Sequence, residues 1–221
     1  MIDWSAIDTV LLDMDGTLLD LRYDNHFWME YLPEAYARRH GGKVTEAKAY
    51  LLAEFEAVRG TLPWYCLDHW SQRLGMDIPS LKLELKHMIQ ARPYTLDFLA
   101  RLHESPQRVL LVTNAHRETL RIKMNEVDIT DWFDDIVVSH DFGAPKESQV
   151  FWQKFQKQFP FDPSRTLFID DTESVLHAAK TFGVGHLLTM LQPDSAVDKR
   201  LTTQFPAIHH FDEIMPAGAQ S

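Results

Sequence analysis

Two carboxylates flank a single residue in Asp13-Met14-Asp15-Gly16-Thr17, and a second acidic pair, Asp170-Asp171, lies far along the chain. Between them come Thr113-Asn114 and Lys146, the latter in Ala144-Pro145-Lys146-Glu147-Ser148. Three or four carboxylates converging on one point without matching cations would repel strongly. A hard divalent cation resolves that conflict, and oxygen ligands with room left for a phosphate suit magnesium. Given such a metal, one carboxylate can attack phosphorus and form an aspartyl-phosphate that water later cleaves. A second can protonate the leaving oxygen and then deprotonate the water, so it must change protonation state near working pH. The charge on the transferring phosphoryl oxygens needs fixed donors. The Thr113 hydroxyl, the Asn114 backbone N–H and Lys146 are the donors available.

Each motif alone has a plainer explanation. Asp-x-Asp-Gly-Thr is a turn with solvated acids, Thr113-Asn114 and Asp170-Asp171 cap the helices that follow, and Lys146 is a solvated loop lysine. What raises them together is position, because each stands at the end of an apolar run or, for Lys146, in the loop from Ser139 to Lys146 that follows one. Ile7 to Leu12 is short, apolar and β-branched, the pattern of a strand buried on both faces, and similar runs recur at Val109 to Val112, Ile136 to Val138, Thr166 to Ile169 and His186 to Thr189. Helical patterns separate the later ones, roughly 116 to 127, 147 to 159 and 173 to 182, the last closed by Gly183. Strands alternating with helices predict a doubly wound, Rossmann-like α/β parallel sheet, and such sheets bind ligands at the carboxyl ends of their strands.

The first two runs are too far apart for one crossover. The stretch from 22 to 92 predicts four helices: Asp24 to His40 before Gly41-Gly42, Thr45 to Arg59 before Gly60, Pro63 to Leu74 before Gly75, and Ser80 to Ala91 before Pro93. Such an insertion is large enough to form a small lid over the sheet. Tyr23, Trp28, Tyr31, Trp64, Tyr65 and Trp70 lie within it. They could stack on a purine, though their helical spacing fits packing better. Leu21 to Asn25, just past the first acidic turn, is the place to seek substrate contacts.

The order Asp13-Met14-Asp15-Gly16-Thr17, Thr113, Lys146, Asp170-Asp171, each at a strand end, resembles the haloacid dehalogenase superfamily of phosphohydrolases. The insertion matches that family's helical cap in position and length, giving a core of residues 1–21 and 93–221 and a cap of 22–92. The whole chain is more narrowly similar to bacterial nucleotidases of the superfamily that act on GMP and IMP. The resemblance implies Asp13 as nucleophile, Asp15 as acid and base, and Thr113 and Lys146 as clamps on the phosphoryl group, with Asn114 beside them. It implies magnesium on Asp13, the Asp15 carbonyl and Asp171, with Asp170 a ligand or a supporting acid. One departure stands out: many relatives carry a further acid where this chain has Val175, which leaves Glu173 or the adjacent pair alone to complete the site. An acid at position 15 favours phosphoryl transfer to and from oxygen over dehalogenase or phosphonatase chemistry. The expected substrate is a purine nucleoside monophosphate, with a sugar phosphate (phosphatase or phosphomutase) as the alternative. A receiver-type signalling domain shares the residue types, but it carries its acidic pair at the first strand and has no use for a lid.

Composition agrees with a globular enzyme. Acidic side chains outnumber basic ones, 32 to 22, for a formal charge of −10, and no basic stripe could follow a nucleic-acid backbone. No apolar stretch approaches membrane-spanning length, and a cytoplasmic location is expected. Cys66, the single cysteine, excludes an internal disulfide and fits a buried structural thiol in a helix. The eleven histidines show no metal-ligand spacing and predict surface or packing roles. Nothing in the sequence sets the oligomeric state.

Overall fold

The computed structural model describes residues 2–216; the outermost ends of the expected core, residue 1 and residues 217–221, lie outside them. Six parallel strands form one sheet: β1 (Thr9–Leu12), β2 (Arg108–Thr113), β3 (Asp135–Val138), β4 (Thr166–Ile169), β5 (His186–Met190) and β6 (Ala207–Ile208). Their order is β3-β2-β1-β4-β5-β6, so the winding reverses at β1. Leu12 pairs with Leu111 on one side and Ile169 on the other, which sets the ends of β1, β2 and β4 side by side. This is the doubly wound architecture predicted by the alternation of apolar runs and helices.

Helices α1 (Arg22–His26), α2 (Leu32–His40), α3 (Val44–Val58), α4 (Leu62–Tyr65), α5 (Leu67–Leu74) and α6 (Ile78–Glu84) fill the long connection from β1. Then follow α7 (Thr95–His103), α8 (Arg117–Val127), α9 (Gln149–Gln158) and α10 (Glu173–Phe182). Side chains alternate across each strand. Val10, Leu12, Val109 and Leu111 pack with Phe98 and Leu99 of α7 and Leu120 of α8 on one face, while Leu11, Leu110 and Phe168 pack with Trp152 and Phe155 of α9 and Leu176 of α10 on the other. β1 and β4 are buried throughout, and packing on both faces explains why each is apolar after its first threonine rather than alternating.

The insertion differs from four simple helices. The run from Arg22 to His40 is continuous but widens to a π turn over Phe27–Tyr31, where the Leu32 N–H donates to the Phe27 carbonyl. Pro33 has no N–H for the carbonyl four residues back and its ring would press on it, and the wider turn relieves both. The helix expected over Pro63 to Leu74 breaks at Cys66, whose backbone is extended (φ −91°, ψ 113°). Cys66 is thus half-buried at a helix N-cap, not a buried thiol within a helix. The expected last helix ends early, at Glu84, and continues only as a 3₁₀ turn over Lys86–Met88. Phe27, Leu51, Phe55, Trp70 and Ile78 give the insertion its own apolar core. Helix α7 was not expected; it begins after Tyr94, held at φ 64°, without a side-chain cap to announce it. Gly183 closes α10 in the left-handed region, as expected. No helix among the described residues is long and apolar enough to cross a membrane.

Phe168, fully buried at the centre of the sheet with its ring 5.3 Å from that of Trp152, is a direct check on this packing. Phe168→Ala is expected to cost about 3 to 5 kcal/mol in urea-induced unfolding.

Candidate active site

Asp13 follows β1 directly and its N–H donates to the Ile169 carbonyl of β4 at 3.0 Å, so the sheet itself places it. The carboxylate is buried; one oxygen accepts from Lys146 Nζ at 2.6 Å and the other from the Thr17 hydroxyl at 3.1 Å. Lys146 Nζ donates also to Asp170 at 2.7 Å and to the Val112 carbonyl at 2.9 Å, so its three donors meet three acceptors. Burial works against the ammonium, but Asp13 and Asp170 outweigh it and hold the Lys146 pKa above the usual lysine value. The loop carrying Lys146 is itself pinned, its N–H to Asn114 Oδ1 at 2.9 Å and its carbonyl to the Trp152 indole at 2.8 Å.

The predicted residues converge. Carboxylate oxygens of Asp13, Asp170 and Asp171 lie within 4.8 Å of one another, a group able to hold a metal ion. Asp170 accepts from the Thr172 N–H at 2.8 Å, so the helix-start role and the clustered position coexist. Burial raises Asp170 well above an ordinary carboxyl, and burial together with the Asp13 charge pushes Asp171 up to about 7. Arg200 approaches Asp171 only to 3.9 Å. With the Lys146 ammonium shared between two of its three carboxylates, the cluster is short of positive charge, and its oxygen-only donors suit a hard divalent cation. Gly16 sits against it at φ +81°; a Cβ there would stand 2.7 Å from the Asp171 carboxylate, so both conformation and space demand glycine. Val175 is packed in the core beside α9, and Glu173 accepts from the Gln204 N–H at 2.8 Å. Neither joins the cluster, which leaves the adjacent pair.

Thr113 Oγ1 accepts from the Ala115 N–H at 2.9 Å, which holds its hydroxyl at the end of β2. The Asn114 side chain is spent on scaffolding: besides Lys146 it binds Glu147 at 3.0 Å, and Glu147 takes the Tyr65 hydroxyl of the insertion at 2.6 Å.

Asp15 turns its carboxylate away from the other three, toward Lys123 of α8. The same ammonium donates to Asp24 of α1, and Asp24 accepts from Lys82 of α6 at 3.0 Å. Core and insertion are thus joined by a buried chain of alternating charge. Burial raises Asp15, and the nearby Asp24 and Asp13 raise it further against the pull of Lys123, to about 6. Burial would raise Asp24 too, but two lysines hold it near 2. Lys82 stands 4.5 Å over the Phe27 ring and 4.7 Å over that of Tyr23, aromatic faces that suit a desolvated cation. Neither lysine was singled out from the sequence. The available signal was Lys123 at three residues past Leu120 and four past Thr119, on the buried stripe of α8.

A cavity of about 440 Å³ runs from Asp13 and Asp15 to Asn25, Trp28, Arg59 and Trp64 of the insertion. Of the insertion aromatics, Tyr23 and Trp70 are core side chains, whereas Trp28, Trp64 and Tyr65 are half-buried on the cavity wall. Leu21, Asp24 and Asn25 line it as well, at the segment expected to meet substrate.

Residues 7–183 match the family described as haloacid dehalogenase-like hydrolase. The chain belongs to that family. It is 38% identical to the GMP/IMP nucleotidase YrfG of Escherichia coli K12 over 98% of this chain and 97% of that one, and equally to the Shigella flexneri protein. Among solved structures, a HAD phosphatase from Thermococcus onnurineus is similar with a TM-score of 0.77 at 20% identity, covering 94% of this chain and 95% of that one. A putative β-phosphoglucomutase from Thermotoga maritima is similar at 0.62 and 19% identity, with 90% and 89% covered. This hydrolase thus shares its fold, insertion included, with proteins of its family.

The charge imbalance has a measurable consequence. A carboxyl whose folded pKa lies above its unfolded value of 3.8 adds stability at low pH that is lost as pH rises through the folded value. With Asp15 at about 6 and Asp171 at about 7, the melting temperature in EDTA is expected to fall between pH 5 and pH 7.5. Added magnesium is expected to raise it, more at pH 7.5 than at pH 5, as scanning calorimetry would show.

Proposed function

We propose that this hydrolase is a magnesium-dependent phosphatase acting on purine nucleoside monophosphates, GMP and IMP among them, through an aspartyl-phosphate on Asp13. The observation that carries the chemistry is the division between two acids: Asp13 is fixed by Lys146 and Thr17, while Asp15 has its pKa raised to about 6 beside the same cavity. A group with that value near neutrality serves as acid in one step and base in the next. Held by Asp13, Asp171 and the Asp15 carbonyl, with Asp170 as ligand or supporting acid, magnesium would supply positive charge against the phosphoryl oxygens.

An Asp13 oxygen attacks phosphorus, the bond from phosphorus to the ribose 5′ oxygen breaks, and that oxygen takes the Asp15 proton. Asp15, now a carboxylate, removes a proton from water; the water oxygen bonds phosphorus, and the aspartyl oxygen leaves with the electron pair. Lys146 and the Thr113 hydroxyl stabilise the phosphoryl oxygens throughout, with the Asn114 backbone N–H beside them. In this reading residues 22–92 act as a cap that keeps bulk water from the intermediate.

Two observations support the nucleotide. One is the 38% identity, nearly end to end, to a GMP/IMP nucleotidase. The other is the aromatic wall: Trp28 and Trp64 flank a cavity deep enough to take more than a phosphate, with Arg59 5.3 Å from the Trp64 ring. Such planar aromatic surfaces can stack on a purine base.

Asp13→Asn is expected to abolish phosphate release, and Asp15→Asn to lower kcat by roughly 10²–10⁴-fold. A phosphate-release screen of nucleoside monophosphates against sugar phosphates in magnesium buffer is expected to favour GMP and IMP. Preference for a sugar phosphate would overturn the nucleotide reading and leave the chemistry standing.

A further inference from the structure

One other group of metal-ligating side chains comes together among the described residues, and it contains the only cysteine. The Cys66 sulfur, an Asp68 oxygen and a His116 ring nitrogen lie within 4.8 Å of one another. Cys66 and Asp68 come from the first turn of α5 in the insertion, His116 from the N-cap of α8 in the core. His116 Nε2 and Asp68 Oδ2 are 3.6 Å apart, too long for a hydrogen bond. It is close to the spacing of roughly 3.4 Å between two ligands of one tetrahedral zinc ion. The Cys66 sulfur accepts from the His69 N–H at 3.5 Å. Beside the group, the His140 ring stands edge-on to His116 at 5.2 Å, and both of its nitrogens are buried without a hydrogen-bond partner. Burial, with His116 adding to it, keeps that imidazole neutral, its pKa near 4.

We propose that Cys66, Asp68 and His116 form a second metal site, selective for a borderline-soft divalent cation of the zinc type, which ties the insertion to the core. Thiolate, imidazole and carboxylate are donors for zinc or cobalt, in contrast to the oxygen-only cluster at Asp13. Water or His140 would complete four-coordination. Binding releases the thiol proton to solvent. Ligation through His116 Nε2 puts the ring proton on Nδ1 and gives up the long 3.4 Å contact from the Glu118 N–H. The ligands' chain neighbours Tyr65, Leu67 and Ala115 line the substrate cavity, so an ion here fixes the distance between its two walls. Exchange of substrate and product past a fixed entrance is slower, and zinc becomes an inhibitor that leaves the catalytic cluster intact.

The test is cobalt titration of the full-length, magnesium-saturated enzyme followed by absorption spectroscopy. With one cysteine in the chain, a thiolate-to-cobalt charge-transfer band reports this site alone. One equivalent of cobalt is expected to produce the band and zinc to erase it. Cys66→Ser is expected to lose it, and Asp68→Asn to weaken cobalt binding by at least about tenfold. The Asp68 side chain is 81% exposed, so this second variant leaves the core undisturbed. No band in the unmodified enzyme, or unchanged affinity in Asp68→Asn, would overturn the site. Phosphate release in excess magnesium is expected to slow with zinc in the unmodified enzyme and not in Cys66→Ser. Equal inhibition of both would mean zinc acts at the Asp13 cluster, which overturns the tie between insertion and core.

Discussion

Buried negative charge at the ends of β1 and β4 is the constraint around which this protein is organised. Asp13, Asp170 and Asp171 are each held out of water, and the one ammonium among the described residues within hydrogen-bond reach of that group, Lys146, is shared between two of them. Isolated charges in such surroundings either neutralise or find partners. Here the backbone supplies part of the answer: the Thr172 N–H, the Val112 carbonyl behind Lys146, and a glycine at position 16 whose missing side chain leaves space beside Asp171. A divalent cation held there would supply the positive charge of which the three carboxylates have too little.

The same problem recurs one layer out, where side chains of opposite sign meet. Asp15, Lys123, Asp24 and Lys82 alternate in sign through the interior, and aromatic rings close around the terminal cation. Removing one member of a buried pair typically costs about 3 to 5 kcal/mol, because the survivor is left uncompensated. Since Asp24 and Lys82 belong to the insertion and Lys123 to α8, the surroundings of the acid at position 15 depend on where the insertion sits. Tyr65, through Glu147 and Asn114, makes a second polar link across the same boundary.

Much of the architecture was legible in the chain. Strands buried on both faces are mostly apolar, and the runs of β1 to β4 each give way to a polar residue where the sheet ends. The five principal strands, the site at the β1 switch point and the residues gathered there follow from that rule. Where expectation failed, local and tertiary demands conflicted. The helix through Cys66 broke so that its cap could start α5, while the freed Trp64 carbonyl accepts the Trp70 indole N–H at 2.9 Å. Helix α7 has no capping side chain at its start to announce it in the sequence.

By itself the sequence determined the sheet, the helical insertion and the places of Asp13, Asp15, Thr113, Asp170 and Asp171 at or just past strand ends, with Lys146 in a loop beyond one, because apolar runs and the polar residues that follow them are local features. Only the tertiary structure decided that Lys123 and Lys82 are interior cations, that Val175 is core and Glu173 peripheral, and that Cys66 faces His116 across the boundary between insertion and core. A lysine or a cysteine looks the same in sequence whether it meets water or a partner. Which it meets depends on how an insertion with its own apolar core docks against the sheet, and no local pattern encodes that.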